Sequence, residues 1–446
     1  MTQPTSGDEE AQRGGAAAHP GADPGRPRVP RQPGRPDVFT FGETMVALRG
    51  SGPLKLGGTV QVSIAGAESN VAIGLARLGH DVRWAGAVGE DEAGQLVLRT
   101  LRAEGVEVSG ASTDPGAPTG LLLFEPRLPE VTRVHYYRAG SAGSRVTADI
   151  VERAFCAAPP RVLHLTGITP SLGPTARSAA LRCLQLAREH GSLVCLDVNF
   201  RARLWTAEEA AAVLREWIPS VDVLIASDDE LPLCLPDGAG AEGVPGGAQG
   251  GEGAPGTGDV EGAQSAEGTR AAEAAQGADG MQVMQGTQRP QVADEGAARP
   301  GSEQVGAPAA ATSARGGAEG DTAPLPLGET AGGSAATIVS QAKLLLDLGV
   351  GEIVVKLGAD GATAFTHGGS LHRPATPVRA VDAVGAGDAF VAGYLSALLD
   401  GEELAGCLER AVTTGAFAVA SPGDWEGAPT RSELGMLGAP PGTVVR

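Results

Sequence analysis

Short apolar segments alternate with longer segments of helical periodicity along most of this chain, and this alternation constrains its fold more than any other feature. The strand-like segments are residues 38–42, 82–88, 162–165, 193–197, 221–226 and 353–357. The helix-like segments are residues 70–78, 94–104, 175–189, 207–217, 337–348 and 386–399. Repeated β-α-β units place parallel strands in one sheet with helices on both faces. The sequence therefore predicts an α/β sandwich around a mostly parallel central sheet.

Two further regions, residues 48–63 and 118–137, are polar and alternating and do not fit the β-α-β pattern. Within the second region, residues 121–124 and 131–137 resemble two paired strands. We expect these regions to form a small separate sheet beside the main one.

Two segments lack the apolar residues that a folded core requires. Residues 1–36 are rich in Gly, Pro, Ala and Arg, and residues 237–333 contain no Phe, Tyr or Trp and carry a net charge of −10. Low hydrophobicity combined with net charge cannot offset the entropy cost of ordering a chain. We therefore expect a disordered tail (1–36), a disordered low-complexity insertion (237–333), and a single domain built from residues 37–236 and 334–446.

The charge and cysteine content narrow the classes of partner and compartment. The 446-residue chain has a net charge of −19, which argues against a nucleic acid or an anionic membrane as the main partner. No apolar run is long enough to span a bilayer, and the N-terminus lacks the apolar segment of a signal peptide. The five cysteines form no C-x-x-C pair, which favours buried, reduced thiols. The sequence thus predicts a cytoplasmic protein.

Several catalytic motifs are absent from the sequence. A Walker A loop requires Gly-Lys, and none of the three lysines follows a glycine. There is also no H-E-x-x-H motif of zinc proteases and no G-x-S-x-G nucleophile elbow.

The segment D-A-V-G-A-G-D-A-F, residues 382–390, is the most informative motif in the chain. Gly385, Ala386 and Gly387 precede an apolar helix, so their backbone N–H groups and the helix dipole form a site suited to a phosphate. Asp388 then lies in the first helical turn, where its carboxylate can accept a proton from a hydroxyl that attacks phosphorus. An ordinary helix start, with Asp388 complementing the dipole, explains the same residues.

The wider sequence resembles the PfkB/ribokinase family of sugar kinases. D-x-x-G-A-G-D-x-F is similar to the C-terminal signature of that family, and residues 65–79 followed by 86–94 are similar to its first signature, with Ala65 in place of the usual first glycine. K-L-G-A-D-G-A, residues 356–362, resembles its nucleotide-side strand and turn. The resemblance covers nearly all of residues 37–235 and 336–436.

The resemblance implies a ribokinase-like three-layer sandwich with a small β lid, ATP over the C-terminal half and the sugar between core and lid. Asp388 would be the general base, and the amides of Gly385, Ala386 and Gly387 would stabilise the transferring phosphoryl group. Mg²⁺ would bridge the phosphates, and a monovalent cation is a further expected cofactor. The nucleotide-binding residues would be Ser227, Lys356, Gly358, Gly361, Gly385 and Gly387. Glu230 would contribute indirectly to the metal network, in which Ser227 replaces the usual Asn.

Within the family, residues 42–45, 136–142 and 197–201 with Trp205 resemble the corresponding stretches of 2-keto-3-deoxygluconate kinases, whose substrate is a sugar acid. Arg138 and Arg201 could bind the carboxylate through their guanidinium forks, and Tyr136 could donate from its phenol. Gly66 and Asn70, in the first signature, could contact the sugar hydroxyls.

Each of these substrate residues also has a structural explanation. Tyr136 and Arg138 could lie on a surface strand of the lid, Arg201 could pair with Asp197, and Asn70 could cap a helix.

Two other hypotheses for the function stay open. The first is a kinase of a neutral sugar or a nucleoside, such as fructose or ribose. The second is a catalytically idle sugar-binding or scaffold protein, although such a protein has no chemical need for Asp388. Whether the substrate is a sugar acid or a neutral sugar, a second copy of the chain could bind through the lid to form a homo-oligomer.

The first prediction concerns the low-complexity insertion. We expect that residues 240–330 can be replaced by a short Gly-Ser loop with little effect on kinase activity, because loop-closure cost grows only as the logarithm of length. Steady-state kinetics of the shortened variant, together with limited proteolysis of the full chain, checks this. A shortened variant that folds and binds ATP but loses most of its turnover would contradict the prediction.

Overall fold

The computed structural model describes residues 26–30, 34–128, 131–236 and 335–439. Within these residues the strands are β1 Val38–Phe41, β2 Met45–Gly50, β3 Val60–Ala65, β4 Val82–Ala85, β5 Ala87–Gly89, β6 Ser112–Asp114, β7 Leu121–Leu128, β8 Val131–Tyr137, β9 Val162–Thr166, β10 Leu193–Asp197, β11 Val223–Ser227, β12 Glu352–Lys356, β13 Ala362–Thr366 and β14 Gly369–Arg373. The α-helices are α1 Ala67–Arg77, α2 Glu92–Ala103, α3 Ala148–Ala157, α4 Ile168–Ser171, α5 Pro174–His190, α6 Ala207–Trp217, α7 Ala335–Asp347, α8 Ala386–Asp400 and α9 Leu404–Val419.

The main sheet has eight strands in the order β14-β13-β12-β11-β10-β9-β1-β4. All neighbours pair in parallel except β12 with β13 and β13 with β14, which are antiparallel. The central strands are buried on both faces, as the continuous buried apolar run at residues 223–226 of β11 illustrates. The prediction of a mostly parallel sheet is confirmed.

Helices cover both faces of this sheet and give three layers. On one face, α3, α5, α6 and α7 bury a core that includes Phe155, Leu184 and Trp217. On the other face, α1, α2, α8 and α9 bury a second core that includes Leu101 and Tyr394. The α/β sandwich is therefore confirmed.

The helices and strands that sequence periodicity missed are rich in small or polar residues. Helix α9 contains Gly406 and Gly415, and neither α9, α3 nor the β13–β14 hairpin was predicted. Helix α9 nevertheless packs closely on α8, because a Cβ added at Gly393 would lie 2.1 Å from Thr414 Oγ1. The predicted strand 82–88 is also divided, at Gly86, into β4 and β5.

A second sheet, with strand order β3-β2-β7-β8, forms the lid. Its strands β7 and β8 pair in antiparallel fashion, which confirms the predicted pair at 121–124 and 131–137. One face of the lid carries a small apolar cluster of Met45, Ala47, Ala65, Leu122 and Phe124, and Val384 from the main domain packs against it. The lid therefore contacts the segment that precedes α8.

The last residues of the predicted tail contact the folded domain. Residues 26–30 and 34–36 belong to the predicted tail, yet Arg26 forms an ion pair of 2.7 Å with the buried Glu352 and the Arg35 guanidinium donates to the Pro159 carbonyl at 3.0 Å. The predicted insertion, residues 237–333, lies outside the described residues, as do residues 1–25.

Two predictions from composition can be compared with the described residues. Cys183, Cys195, Cys234 and Cys407 are buried, whereas Cys156 is exposed, so burial of the thiols is confirmed for four of the five cysteines. Among the helices that the structure describes, none combines the length and apolar character needed to cross a bilayer.

Candidate active site

The candidate site lies at the carboxyl edge of the parallel strands. Strands β9, β10, β11 and β12 end at Thr166, Asp197, Ser227 and Lys356. The register pairs Thr166 with Asp197 and Ser227 with Lys356, whereas Asp197 lies opposite Ile225, two residues before Ser227. Helix α8 begins near the same edge. Open α/β sheets bind their ligands at this edge, because neighbouring connections diverge there and leave a crevice.

The turn before α8 forms an anion loop, which we define as residues 382–387. Gly385 adopts a left-handed conformation with φ of +76°, and a Cβ there would lie 1.8 Å from the Asp424 carbonyl oxygen. Only glycine fits this position. Helix geometry leaves the N–H groups of Gly387 and Asp388 without intrahelical acceptors, so they are available to an anion.

Lys356 adds a positive charge beside this loop. A Cβ placed on Gly387 would lie 3.9 Å from Lys356 Nζ, which puts the ammonium next to the free amides. Lys356 Nζ also lies 2.7 Å from Asp197 Oδ1. Burial lowers the pKa of Lys356, but the charges of Asp197 and Glu230 and the hydrogen bond that Lys356 donates to Asp197 outweigh this effect, so the pKa is raised and the lysine is charged.

Asp388 is the buried carboxylate at the start of α8. It is 9% exposed, Asn70 Nδ2 donates to its Oδ2 at 2.8 Å, and Asn199 Nδ2 lies 3.5 Å from its Oδ1. Burial, reinforced by the charge of Asp197, raises the pKa of Asp388 to about 7, although the Asn70 hydrogen bond and the charge of Arg201 oppose the shift. A carboxylate with such a pKa suits proton transfer near neutral pH.

Asn70 contributes a second polar atom to the same space. Its Oδ1 is buried and has no hydrogen-bond partner among the described residues, and the same is true of Thr44 Oγ1. Buried polar atoms are nearly always paired, so an unpaired one beside Asp388 is suited to accept a ligand hydroxyl. Gly66 caps α1 nearby, and a Cβ there would lie 2.5 Å from the Glu43 carbonyl oxygen.

Arg201 provides an exposed positive charge beside this polar group. Its Nη1 donates to the Phe200 carbonyl at 3.0 Å, and its charge lowers the pKa of Asp388. The alternative that Arg201 pairs with Asp197 is wrong, because Asp197 pairs with Lys356 instead.

Arg138 has an intramolecular partner that the sequence did not predict. Its Nε donates to Glu43 Oε2 at 2.7 Å, its Nη2 also contacts Glu43, and Glu43 is 3% exposed. Two of its N–H groups are therefore occupied before any ligand binds. Tyr136 is 45% exposed and pairs with Leu122, on the lid face whose apolar cluster meets Val384.

Glu230 and Ser227 form a local hydrogen-bond network. Glu230 is buried, and its oxygens accept from the N–H groups of Phe200 and Ser227, both at 2.7 Å, and from Ser227 Oγ at 3.0 Å. This network joins the ends of β10 and β11. Glu230 therefore positions backbone, and its indirect role in the metal network stays a prediction.

Gly358 and Gly361 shape the turn between β12 and β13, with φ of +57° and +99°. A Cβ on Gly361 would lie 2.0 Å from the Arg373 carbonyl oxygen. The turn thus requires glycine for steric reasons, and the predicted nucleotide contact of these two residues is not tested by the structure.

The described residues contain no group of three or more His, Cys, Asp or Glu side chains able to hold a metal ion. Mg²⁺ commonly retains several waters and binds mainly through substrate phosphates, so a nucleotide-bound Mg²⁺ would require no such group of protein ligands.

Sequence analysis missed the role of Asn199, which the structure places between Asp197 and Asp388. Asn199 has φ of +39°, an uncommon conformation that a non-glycine residue adopts only when its surroundings require it. Its Nδ2 lies 3.4 Å from Asp197 Oδ2. Its position two residues after the buried strand β10 was a signal available in the sequence.

Comparison with known sequences agrees with the geometry. The profile of the pfkB family carbohydrate kinases matches residues 35–239 and 327–431. A 2-dehydro-3-deoxygluconokinase of Thermoproteus tenax is 28% identical over 407 residues, covering 90% of this chain and 93% of the relative. The enzyme of the same name from Bacillus subtilis is 28% identical over 406 residues, covering 89% and 94%. Fructokinase-1 of Zea mays is 34% identical over 173 residues, covering 37% and 51%.

Solved structures share the fold. A PfkB protein from Polaromonas sp. JS666 superposes with a TM-score of 0.61 and 27% identity, covering 90% of this chain and 99% of that one. A fructokinase with bound ATP from Xylella fastidiosa gives 0.61 and 19%, covering 90% and 97%. A fructokinase double mutant from Vibrio cholerae O395, bound to fructose, ADP and potassium, gives 0.60 and 19%, covering 91% and 99%.

The site generates a prediction for Asp388→Asn. We expect phosphoryl transfer from ATP to fall by about 10²–10⁴-fold, because the variant has no carboxylate to accept the proton. Wild-type kcat/KM should rise with pH through an apparent pKa near 7, since the ionised form is the base. Asp149→Asn is a matched control, because Asp149 is an exposed acid in the first turn of α3.

The same variant should gain stability while it loses activity. The raised pKa of Asp388 means that its protonated form stabilises the fold, and this contribution is lost as the pH rises through about 7. Asp388→Asn should therefore melt higher than wild type at pH 8, with a smaller difference at pH 5. Near-normal turnover, or a melting difference that does not change with pH, would contradict the role of a buried base.

Proposed function

Because the chain belongs to the pfkB family of carbohydrate kinases and is a sugar kinase, we propose that it transfers the γ-phosphoryl group of ATP to a primary hydroxyl of a sugar acid, 2-keto-3-deoxygluconate. The observation that carries the sugar-acid proposal is the exposed Arg201 guanidinium beside the buried Asp388. A substrate that binds its carboxylate at Arg201 and its hydroxyl at Asp388 would use both groups.

Asp388 would act as the general base. Its carboxylate would take the proton of the substrate hydroxyl as the oxygen attacks phosphorus, while Asn70 holds the carboxylate through a hydrogen bond of 2.8 Å. The pKa of about 7 leaves a large fraction of Asp388 ionised at neutral pH and makes that fraction a stronger base than an ordinary aspartate.

The free amides at the start of α8 and the Lys356 ammonium would stabilise negative charge on the transferring phosphoryl group. Lys356 is held beside Gly387 by its ion pair with Asp197, so the charge is fixed before the nucleotide arrives. Phosphoryl transfer depends chiefly on such positioning and electrostatic stabilisation. Mg²⁺ would enter with ATP and neutralise phosphate charge.

A sugar acid explains the placement of charge in the substrate region. A charge-assisted bond from Arg201 to a carboxylate is among the stronger polar contacts available to a protein. Tyr136, on the inward face of the lid, would add a phenol hydrogen bond, and Asn70 Oδ1 and Thr44 Oγ1 would accept from sugar hydroxyls. The two long matches named 2-dehydro-3-deoxygluconokinase support the same substrate class.

A neutral sugar such as fructose is the second candidate, and one observation favours it. Glu43 engages Arg138, so the predicted pair of carboxylate-binding arginines is reduced to Arg201 and the remaining N–H groups of Arg138. The fructokinase match has higher identity but covers only 37% of the chain.

A substrate panel distinguishes the two candidates. With ATP and Mg²⁺, we expect kcat/KM for 2-keto-3-deoxygluconate to exceed the values for fructose, ribose and a nucleoside. Arg201→Ala should raise KM for the sugar acid by roughly 10- to 100-fold and change KM for ATP little, because a charge-assisted hydrogen bond contributes about 1.5–3 kcal/mol.

Arg153→Ala is the control for this experiment, because Arg153 is an exposed arginine of α3 outside the candidate site. It should leave both KM values unchanged. If fructose is the better substrate of the wild-type enzyme, or if Arg201→Ala affects fructose and the sugar acid equally, the sugar-acid proposal is wrong and the neutral-sugar candidate replaces it.

We also propose that a second copy of the chain binds through the lid. Val60 and Val62 lie on β3, an edge strand, and are 42% and 59% exposed. Apolar side chains on an unpaired edge favour association with another strand. Analytical ultracentrifugation should show a dimer or larger assembly that Val62→Glu weakens; a wild-type protein that sediments as a monomer would contradict this proposal.

A further inference from the structure

An arginine of the lid reaches the base of the anion loop. Arg49, on β2, places Nη1 at 3.1 Å from Asp382 Oδ2 and Nη2 at 2.7 Å from Asp424 Oδ2. Its guanidinium lies 4.0 Å from the centre of the Phe124 ring, which covers one side of it. The side chain of Arg49 is thus fixed by two carboxylates and an aromatic face.

Both aspartates contact the backbone that shapes the anion loop, Asp382 through its carboxylate and Asp424 through its main-chain carbonyl. Asp382 is the first residue of the loop, and its Oδ1 accepts from the Val384 N–H at 3.0 Å. The Asp424 carbonyl oxygen fills the space where a Cβ of Gly385 would lie. A displacement of either aspartate would therefore move the amides that precede Asp388.

These aspartates need a positive charge between them. The Asp424 side chain is only 6% exposed, and burial raises its pKa to about 6, while the charge of Arg49 opposes that rise. Asp382 and Glu426 add negative charge nearby and raise it further. Removing one partner from a buried ion pair leaves an uncompensated charge, which is strongly unfavourable.

Further contacts join the lid to the segment that carries Asp424. Trp425 Nε1 donates to the Ile64 carbonyl at 3.1 Å, and Ser63 Oγ donates to Glu426 Oε1 at 2.5 Å. Both lid residues belong to β3, the neighbour of β2. Lid, residues 424–426 and anion loop therefore form one connected unit, in which Val384 packs against the apolar cluster of the lid and Arg49 forms the ion pair with the loop.

We propose that Arg49 is a positioning residue whose guanidinium supplies the fixed positive charge at the base of the anion loop, and that it thereby couples the position of the lid to the geometry of the catalytic amides. Because lid and loop share this ion pair, closing the lid over the sugar also sets the loop for phosphoryl transfer.

The Arg49 guanidinium occupies the position in which the expected monovalent cation could bind. Asp382 and Asp424 are a pair of carboxylates beside the anion loop that could attract such an ion, but Arg49 already bridges them. The pair therefore does not fit an added cation while the guanidinium is in place. We infer that activity of the wild-type enzyme does not depend on potassium, because the chain carries the equivalent charge.

Arg49→Met tests the role by removing the charge and keeping an apolar side chain over Phe124. Without potassium, with tetramethylammonium as the salt cation, we expect kcat to fall by roughly 10- to 100-fold, since small displacements of catalytic groups have effects of this size. KM for ATP should change less than about threefold, because the loss concerns the transition state. Potassium or guanidinium ions should restore part of kcat in this variant and leave the wild type unchanged.

The controls separate a catalytic effect from a general loss of stability. Arg133→Met makes the same change at an exposed residue of the lid strand β8 and should behave as wild type. Arg49→Lys keeps the charge but not the two-pronged contact, so its kcat should lie between those of wild type and Arg49→Met. ADP is best quantified directly by chromatography, because coupling enzymes can themselves respond to potassium.

The kinetic arm rests on the proposed kinase function, so it uses whichever substrate the panel identifies. Hydrogen exchange of the amides at residues 383–388 needs no substrate, and it should accelerate in Arg49→Met but not in Arg133→Met. Unchanged exchange in Arg49→Met, a potassium requirement of the wild-type enzyme, or identical kinetics of the two methionine variants would each overturn the role of Arg49, whatever the sugar proves to be.

Discussion

Burial of Asp388 beside a fixed lysine and a second buried carboxylate is the constraint around which the active site is arranged. Asp197 Oδ1 lies 2.7 Å from Lys356 Nζ, so the charges of these two strand-end residues balance each other. Among the described residues, the side chains that donate to Asp388 are the neutral amides of Asn70 and Asn199. A carboxylate in that setting has an elevated pKa, here about 7. The raised pKa of Asp388 therefore comes from its surroundings, which the ends of the parallel strands and the start of α8 bring together.

The same principle of charge balance governs the contacts between lid and core. Arg138 is balanced by Glu43 within the lid region, and Arg49 is balanced by Asp382 and Asp424 beneath the anion loop. Arg201 remains exposed, and its positive charge lowers the pKa of Asp388. Of these three arginines, Arg49 and Arg138 form ion pairs with buried carboxylates, whereas Arg201 donates only to a main-chain carbonyl among the contacts that the structure describes. The distinction supports a sugar acid bound through one principal guanidinium.

Much of the fold was predictable because its elements carry strong local signals. Continuous apolar strands predicted a parallel sheet, and the helix at residues 207–217 has the same bounds in the structure. Helix α9 was missed because Gly406, Gly415 and adjacent threonines interrupt its apolar periodicity, although these small residues suit its close contact with α8 at Gly393. The predicted strand 82–88 is likewise interrupted at a glycine. Gly86 separates β4 from β5, and a Cβ there would lie 2.3 Å from the Trp84 ring.

The sequence alone determined the parallel sheet, the separate lid sheet and the presence of an anion loop followed by an acid, because each depends on residues close together along the chain. Only the tertiary structure decided how the charges pair. Asn70 meets Asp388 across 318 residues, and Arg49 meets Asp424 across 375. No local pattern encodes such partners, since an ion pair depends on where the fold brings two side chains and on how much water it excludes there. The roles of Arg49, Arg138 and Arg201 differ for that reason, although all three are arginines.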